Sequence, residues 1–289
     1  MAPDLNTEII KNTKFLLIGA GTLGCHVSRN LLGWGARHIN FIDCGNISFS
    51  NPVRQSLYNF SDAEKGLNPK AETAAKKLKE IFPSINSEGF SFQIPLPGRT
   101  LIDQNAEEIY FEKIEKLEKI ISENDVIFLL TDSRESRWFP TLLSKNYGKI
   151  CVTAAIGFDT FVVMRHGQLQ GNSKDNHGFQ YSINSNNSEN SIFEYEKNNN
   201  LLITDKEKIG CYFCNDIVSP VDTTFNRTLD QQCTISRPGV SAICSGYASE
   251  IGISMLQKNN SIGNDVPEVL RGNIKDSTIL KMQQEKSRK

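Results

Sequence analysis

The chain has 289 residues, with 32 basic side chains against 33 acidic ones and a formal net charge of −1. That balance excludes nucleic-acid packaging and a polybasic lock on a membrane as its main business. No apolar run approaches the roughly 18 residues that insert across a bilayer. The seven cysteines, at 25, 44, 151, 211, 214, 233 and 244, are an odd set without a disulfide-framework spacing. A reduced, cytoplasmic setting is the expectation. Near the start, Phe15-Leu16-Leu17-Ile18 is too short for a cleavable signal and runs straight into glycines.

Lys14-Phe15-Leu16-Leu17-Ile18 reads as a buried parallel strand because it is continuously apolar and ends in glycine. Residues 22–34 then place Leu23, Val27, Leu31 and Trp34 on one helical face. Ile39-Asn40-Phe41-Ile42 is a second strand, closed by Asp43. The helical period returns over 70–82, through Ala71, Ala74, Leu78 and Ile81, and over 104–121, through Ile114, Leu117 and Ile121. Strands follow at 126–130 and 150–155, with a helix-like stretch at 134–145 between them and a further strand at 161–164. Strands alternating with helices mean βαβ units and an α/β fold. The expected architecture is a doubly wound, Rossmann-like, mostly parallel sheet.

Residues 1–166 form the expected nucleotide-binding half. From 167 to 208 the pattern dissolves into Asn, Ser, Gly, Glu and Lys. Such a composition buries too little apolar surface to offset its ordering entropy, so a disordered insertion is expected there. Residues 209–272 supply the remaining elements, including an apolar helix at 240–256, and 273–289 read as a polar tail.

Gly19-Ala20-Gly21-Thr22-Leu23-Gly24 follows a strand and opens a helix, and Asp43 stands 19 residues after Gly24. Glycines let backbone approach phosphate, helix N–H groups face the anion, and the carboxylate takes ribose hydroxyls. The alternative is a tight turn that binds nothing. By itself the fingerprint favours a dinucleotide. The residues that follow shift the weight: Ser50-Asn51-Pro52-Val53-Arg54-Gln55, then Lys70 at a helix start, then Thr131-Asp132-Ser133-Arg134-Glu135-Ser136-Arg137 beyond a strand end. Arg54 and Lys70 can neutralise phosphate charge as it redistributes, and Asp132 can hold Mg²⁺. Taken singly, Lys70 reads as a surface lysine and Arg137 as a helix-face ion-pair partner. The order of the whole set carries the inference.

The string G-A-G-T-L-G-C, S-N-P-V-R-Q, T-D-S-R-E-S-R-W, V-M-R-H-G, G-C-Y-F-C-N-D and R-T-L-D-Q-Q-C-T-I-S-R-P-G resembles the ubiquitin-like-modifier activating enzymes. Within that family the resemblance is to the autophagy-specific branch, over most of residues 5–272. The resemblance implies adenylation of a modifier's C-terminal glycine with MgATP, capture as a thioester, and transfer to a conjugating enzyme. The implied roles are Asp43 for ribose, Asn51, Arg54, Gln55 and Lys70 for phosphates, and Asp132 for Mg²⁺ and the reacting centre. The implied partners are the autophagy modifiers, conjugating enzymes and a second copy in a homodimer. The implied setting is cytoplasmic, at the pre-autophagosomal structure.

Cys233 lies in a polar segment with no apolar period to bury it, just before Arg237 and the helix at 240. A nearby cation and a helix N-terminus both favour thiolate, the attacking form. In the family the matching cysteine forms the thioester. Cys25, Cys44, Cys151 and Cys244 occupy core-type positions and read as packed. Cys211 and Cys214 make half of a tetrahedral zinc site. Relatives supply the other half from a second C-x-x-C, and this chain has none after Cys244. His166 beside Arg165 reads as a strand-end polar residue, so zinc stays unassigned. The large N-terminal domain and C-terminal tail of full-length relatives are also missing from this stretch.

Two readings compete from the same nucleotide residues: a sulfur-carrier adenylyltransferase, and a non-catalytic core that binds ATP and dimerises. A nicotinamide dehydrogenase lacks an accompanying His/Lys/Tyr constellation.

Overall fold

The computed structural model describes residues 5–64, 68–96, 104–167, 210–215, 236–257 and 269–273. Its elements run α1 (Thr7–Asn12), β1 (Lys14–Ile18), α2 (Thr22–Gly33), β2 (His38–Ile42), α3 (Phe60–Glu64), α4 (Lys70–Ile81) and β3 (Gly89–Phe90). There follow α5 (Gln104–Ser122), β4 (Val126–Leu129), α6 (Glu135–Asn146), β5 (Ile150–Ile156), β6 (Thr160–Arg165), α7 (Tyr212–Asn215), α8 (Pro238–Leu256) and β7 (Val269–Asn273). The seven strands lie in the order β3-β2-β1-β4-β5-β6-β7. The first five are parallel, while β6 and β7 add on antiparallel. This is the doubly wound, mostly parallel sheet that the alternating pattern requires.

Both faces of the sheet are covered, which explains why its strands read as unbroken apolar runs. Side chains alternate across the pleat. Phe15, Leu17, Val126 and Phe128 join one core with Val27 and Leu31 of α2, Ala74 and Leu78 of α4, and Val240 and Ala248 of α8. Leu16, Ile18, Ile127 and Leu129 join a second core with Leu117 and Ile121 of α5 and Leu143 of α6. The apolar helix near the end of the chain therefore belongs to the same layered body as the glycine loop at its start.

Five short elements escaped the sequence reading: α1, α3, β3, α7 and β7. Each is too short to display a period, and β3 is held by its pairing with Phe41 and Ile42 of β2. β7 pairs with β6 through Val162↔Arg271 and reaches Asn273, where a polar tail was expected to begin. Cys233, the Asn/Ser-rich stretch beyond Gly167 and the tail after Asn273 lie outside the described residues. The N–H of Gly167 donates to the carbonyl of Gly210 at 3.1 Å, so the backbone on either side of that stretch meets.

Candidate functional site

Strand order reverses between β1 and β4, because β2 and β3 lie to one side of β1 and β5 to the other. At such a switch point the crossovers diverge and leave a crevice outside the carboxyl ends of the strands. A cleft of about 570 Å³ occupies it, lined by the glycine loop, Asp43, Asn51, Arg54, Gln55, Lys70, Asp132 and Arg137. The residues singled out from four separated stretches of sequence thus face one space.

The glycine loop is held on every side. The N–H of Gly19 donates to Ile42 O at 2.7 Å, and that of Leu130 to Ile18 O at 2.8 Å. Gly19 adopts φ +114°, a conformation that side chains rarely tolerate, and a Cβ there would press on Leu130 backbone at 3.0 Å. A Cβ on Gly24 would stand 2.1 Å from the Gly19 carbonyl oxygen. These two glycines serve the fold. Gly21 differs: its φ is −80° and an added Cβ would meet only Gln55 Nε2 at 4.0 Å. Packing does not demand a glycine there, but close approach of a ligand would. Gly21 is also the N-cap of α2 without a side-chain cap, so first-turn N–H groups are available to an anion.

Asp43 ends β2 and accepts the N–H of Ala20 through Oδ2 and that of Gly45 through Oδ1, both at 2.7 Å. It therefore stitches the loop as well as bordering the cleft, and each oxygen keeps a lone pair for a hydroxyl donor. Tyr58, buried, places its hydroxyl 2.7 Å from Ala20 O and 3.0 Å from Lys70 O. That phenol ties the glycine loop to the first residue of α4. Lys70 consequently borders the cleft beside Gly45, not the outer surface. Asn51 is buried and its Oδ1 accepts the Ser48 N–H at 3.0 Å, closing the turn that carries Arg54 and Gln55. Gln55 is buried with its Oε1 unpartnered. An orphan acceptor beside a cleft fits a donor brought by a ligand.

On the far side, Asp132 is exposed in the turn between β4 and α6. The hydroxyls of Thr131, Ser133 and Ser136 form a chain beneath it, at 2.6 and 2.8 Å. Arg137 corrects the sequence reading. It is only 4% exposed, and its Nη2 donates to the carbonyls of Thr131 and, at 3.1 Å, Ala154. α6 packs this face against the sheet, so its period turned the arginine inward.

The cysteines divide by burial. Burial pushes the thiols of Cys25, Cys151 and Cys244 up to about 12, so they stay protonated and packed. Cys44 is exposed at the cleft beside Asp43, contrary to the packed reading, because β2 has already ended. Partial burial and then the Asp43 charge raise its thiol also. Cys211 is buried and Cys214 exposed. Among the described residues no cluster of three His, Cys, Asp or Glu stands ready to hold a metal. His166 is buried after β6, with Nε2 2.8 Å from Thr153 Oγ1, and burial lowers it to about 3.

The model of the ThiF family matches residues 2–288. The ubiquitin-like modifier-activating enzyme ATG7 of Komagataella pastoris is 49% identical over 255 residues, which are 88% of this chain and 35% of that protein. The enzyme of the same name in Gibberella zeae is 48% identical over 267 residues, 92% of this chain and 33% of that protein. That of Saccharomyces cerevisiae strain S288c is 45% identical over 286 residues, 97% and 39% respectively. The chain thus spans between 33% and 39% of the length of these relatives. Among solved structures, E. coli MccB with ATP superposes at TM-score 0.58 with 15% identity, covering 92% of this chain and 65% of that one. PaaA superposes at 0.56 with 15% identity, covering 93% and 63%. These two share the fold.

Proposed function

The chain belongs to the ThiF family, and we propose that it activates the C-terminal glycine of a ubiquitin-like modifier of the autophagy type. The observation that carries this reading is the cleft itself. Bare backbone at Gly21 sits beside Arg54 and Lys70 on one wall, with Asp132 on the other. The printed name of the relatives, and the ATP bound in E. coli MccB, support it.

In this mechanism the triphosphate lies along the glycine loop, its charge met by the α2 N–H groups, Arg54 and Lys70, with Asn51 and Gln55 beside it. Asp43 takes the ribose hydroxyls. Mg²⁺, held by Asp132, would offset phosphate charge as it redistributes. The modifier carboxylate attacks the α-phosphorus, and pyrophosphate leaves with the electron pair of the broken P–O bond. Cys233 then attacks the acyl carbonyl as thiolate, and AMP leaves. Arg237, four residues after Cys233, donates its N–H to Phe158 O at 2.9 Å, at the turn beyond β5. Onward transfer goes to a conjugating enzyme, and the assembly is a homodimer. Residues 170–205 take no part in the chemistry.

Pyrophosphate exchange with a glycine-ended modifier tests the reading. Asp132→Ala should abolish exchange and thioester together, since no acyl adenylate forms. Cys233→Ala should keep exchange and lose only the reducible thioester, while Cys233→Ser should trap a stable ester. Exchange without any thioester in the parent chain would favour a sulfur-carrier adenylyltransferase. ATP binding without exchange would leave a non-catalytic core. A Cys233→Ala protein that still forms thioester would place the nucleophile elsewhere.

A further inference from the structure

Among the described residues no carboxylate pairs directly with the charge of Arg137, and Asp132 favours it only from a longer distance. The Arg137 side chain is 4% exposed. Its acceptors are two backbone carbonyls, Thr131 O and Ala154 O, both served by Nη2. The Tyr212 ring lies 5.8 Å from the guanidinium carbon. A guanidinium offers five N–H donors, and those of Nε and Nη1 meet no acceptor among the described residues. Burying a cation without an anion is costly, and truncating this one to save the cost would be simple. The residue borders the cleft beside Asp132, Ser136, Ala155 and Ile156. An anionic ligand is the natural complement.

Two anions meet in this cleft under the proposed function, a triphosphate and a C-terminal carboxylate. The triphosphate has its own cations: Arg54 follows β2, and Lys70 opens α4. Arg137 stands across the switch point, on the β4–β5 side, with the two ends it ties together. A planar fork is suited to a carboxylate, which it grips through paired donors.

We propose that Arg137 receives the carboxylate of the modifier's terminal glycine, orienting it toward the nucleotide while fixing the Asp132 turn to the end of β5. This rests on the reading above and names the group that recognises the second substrate. No bond forms or breaks at Arg137. It positions the nucleophilic oxygen and remains a cation throughout.

The test uses this chain with an autophagy-type modifier ending in glycine, and the same modifier ending in a carboxamide as a competitor that cannot be adenylated. The parent should bind the acid roughly ten- to a hundredfold more tightly than the amide, the worth of a charge-assisted pair. Arg137→Gln should erase that preference and raise the modifier KM by a similar factor, while affinity for metal-free ATP measured without modifier stays within about twofold. Because a buried arginine also supports the fold, Arg137→Lys is measured beside it. That variant should restore part of the acid-over-amide preference, a readout that loss of packing alone would not move. A parent inactive in exchange would sink the enzyme reading itself. An active parent whose Arg137→Gln and Arg137→Lys forms keep the full acid preference would overturn the present inference alone. A loss of metal-free ATP affinity without modifier would assign Arg137 to the phosphates and overturn it equally.

Discussion

The two walls of the cleft are built on different principles. The glycine-loop wall is secured through its peptide groups, which other backbone and the Asp43 and Tyr58 side chains bond directly. Gly19 bonds to β2, Asp43 takes two N–H groups, Tyr58 ties Ala20 to Lys70, and Gly24 lets α2 settle on Gly19. The Asp132 wall is secured by side chains. Three hydroxyls and one guanidinium hold a turn whose functional carboxylate is exposed. Under the proposed function the first wall is preformed for a triphosphate. The second is held by groups that can also meet a substrate, which suits a place where a second reactant must enter.

Substitutions can break that comparison where it is strongest. Gly24→Ala should cost about 3 kcal/mol, since the new methyl would meet backbone at 2.1 Å and nothing flexible can yield. Denaturant unfolding checks it, and a stability equal to the parent's would mean that the first wall is softer than its geometry.

The second wall is expected to be sensitive to acid. Burial, with Arg137 and then Lys145 adding repulsion, keeps His166 neutral down to about 3, against an ordinary 6.5. The unfolded chain takes that proton first. The contribution is therefore complete above 6.5 and is lost as the pH falls toward 3. The loss should run at roughly 1.4 kcal/mol per pH unit inside that window. Unfolding midpoints at pH 7.5 and 5 should differ less for His166→Gln than for the parent, and parallel pH profiles would discount the histidine.

Gly21→Ala gives the smallest effect on stability and sharpens the contrast within the first wall. It should change unfolding by no more than about 0.5 kcal/mol, because its Cβ meets only Gln55 Nε2 at 4.0 Å. ATP affinity should nevertheless fall about tenfold or more, about 1.4 kcal/mol, if ligand backbone approach is what requires the glycine. Unchanged affinity by calorimetry would move the phosphates away from this loop.

The two walls also differed in how far they could be read in advance. The glycine wall was legible because its determinants are local: a strand, a turn and a helix N-terminus, with Asp43 closing the next strand. Asn51, Arg54, Gln55 and Lys70 follow in order and border the cleft. Arg137 and Cys44 were misjudged. Helical spacing places Arg137 on α6 but cannot say which face meets the sheet, and a cysteine two residues past a strand end resembles one inside it. Tyr58 carried no signal, since its partners Ala20 and Lys70 lie 38 and 12 residues away.

Residue order alone determined the layered α/β class, the positions of the long strands and helices, and a set of side chains that border one cleft. Those follow from periods of 2 and 3.6 and from glycine geometry, which act over a few residues. The tertiary structure decided the strand order, the antiparallel β6 and β7 edge and the inward turn of Arg137. It also decided the split of three glycines into two that packing demands and one, Gly21, that it does not. Each of these depends on contacts between segments far apart in sequence, where burial and steric exclusion set the outcome and local pattern has no purchase.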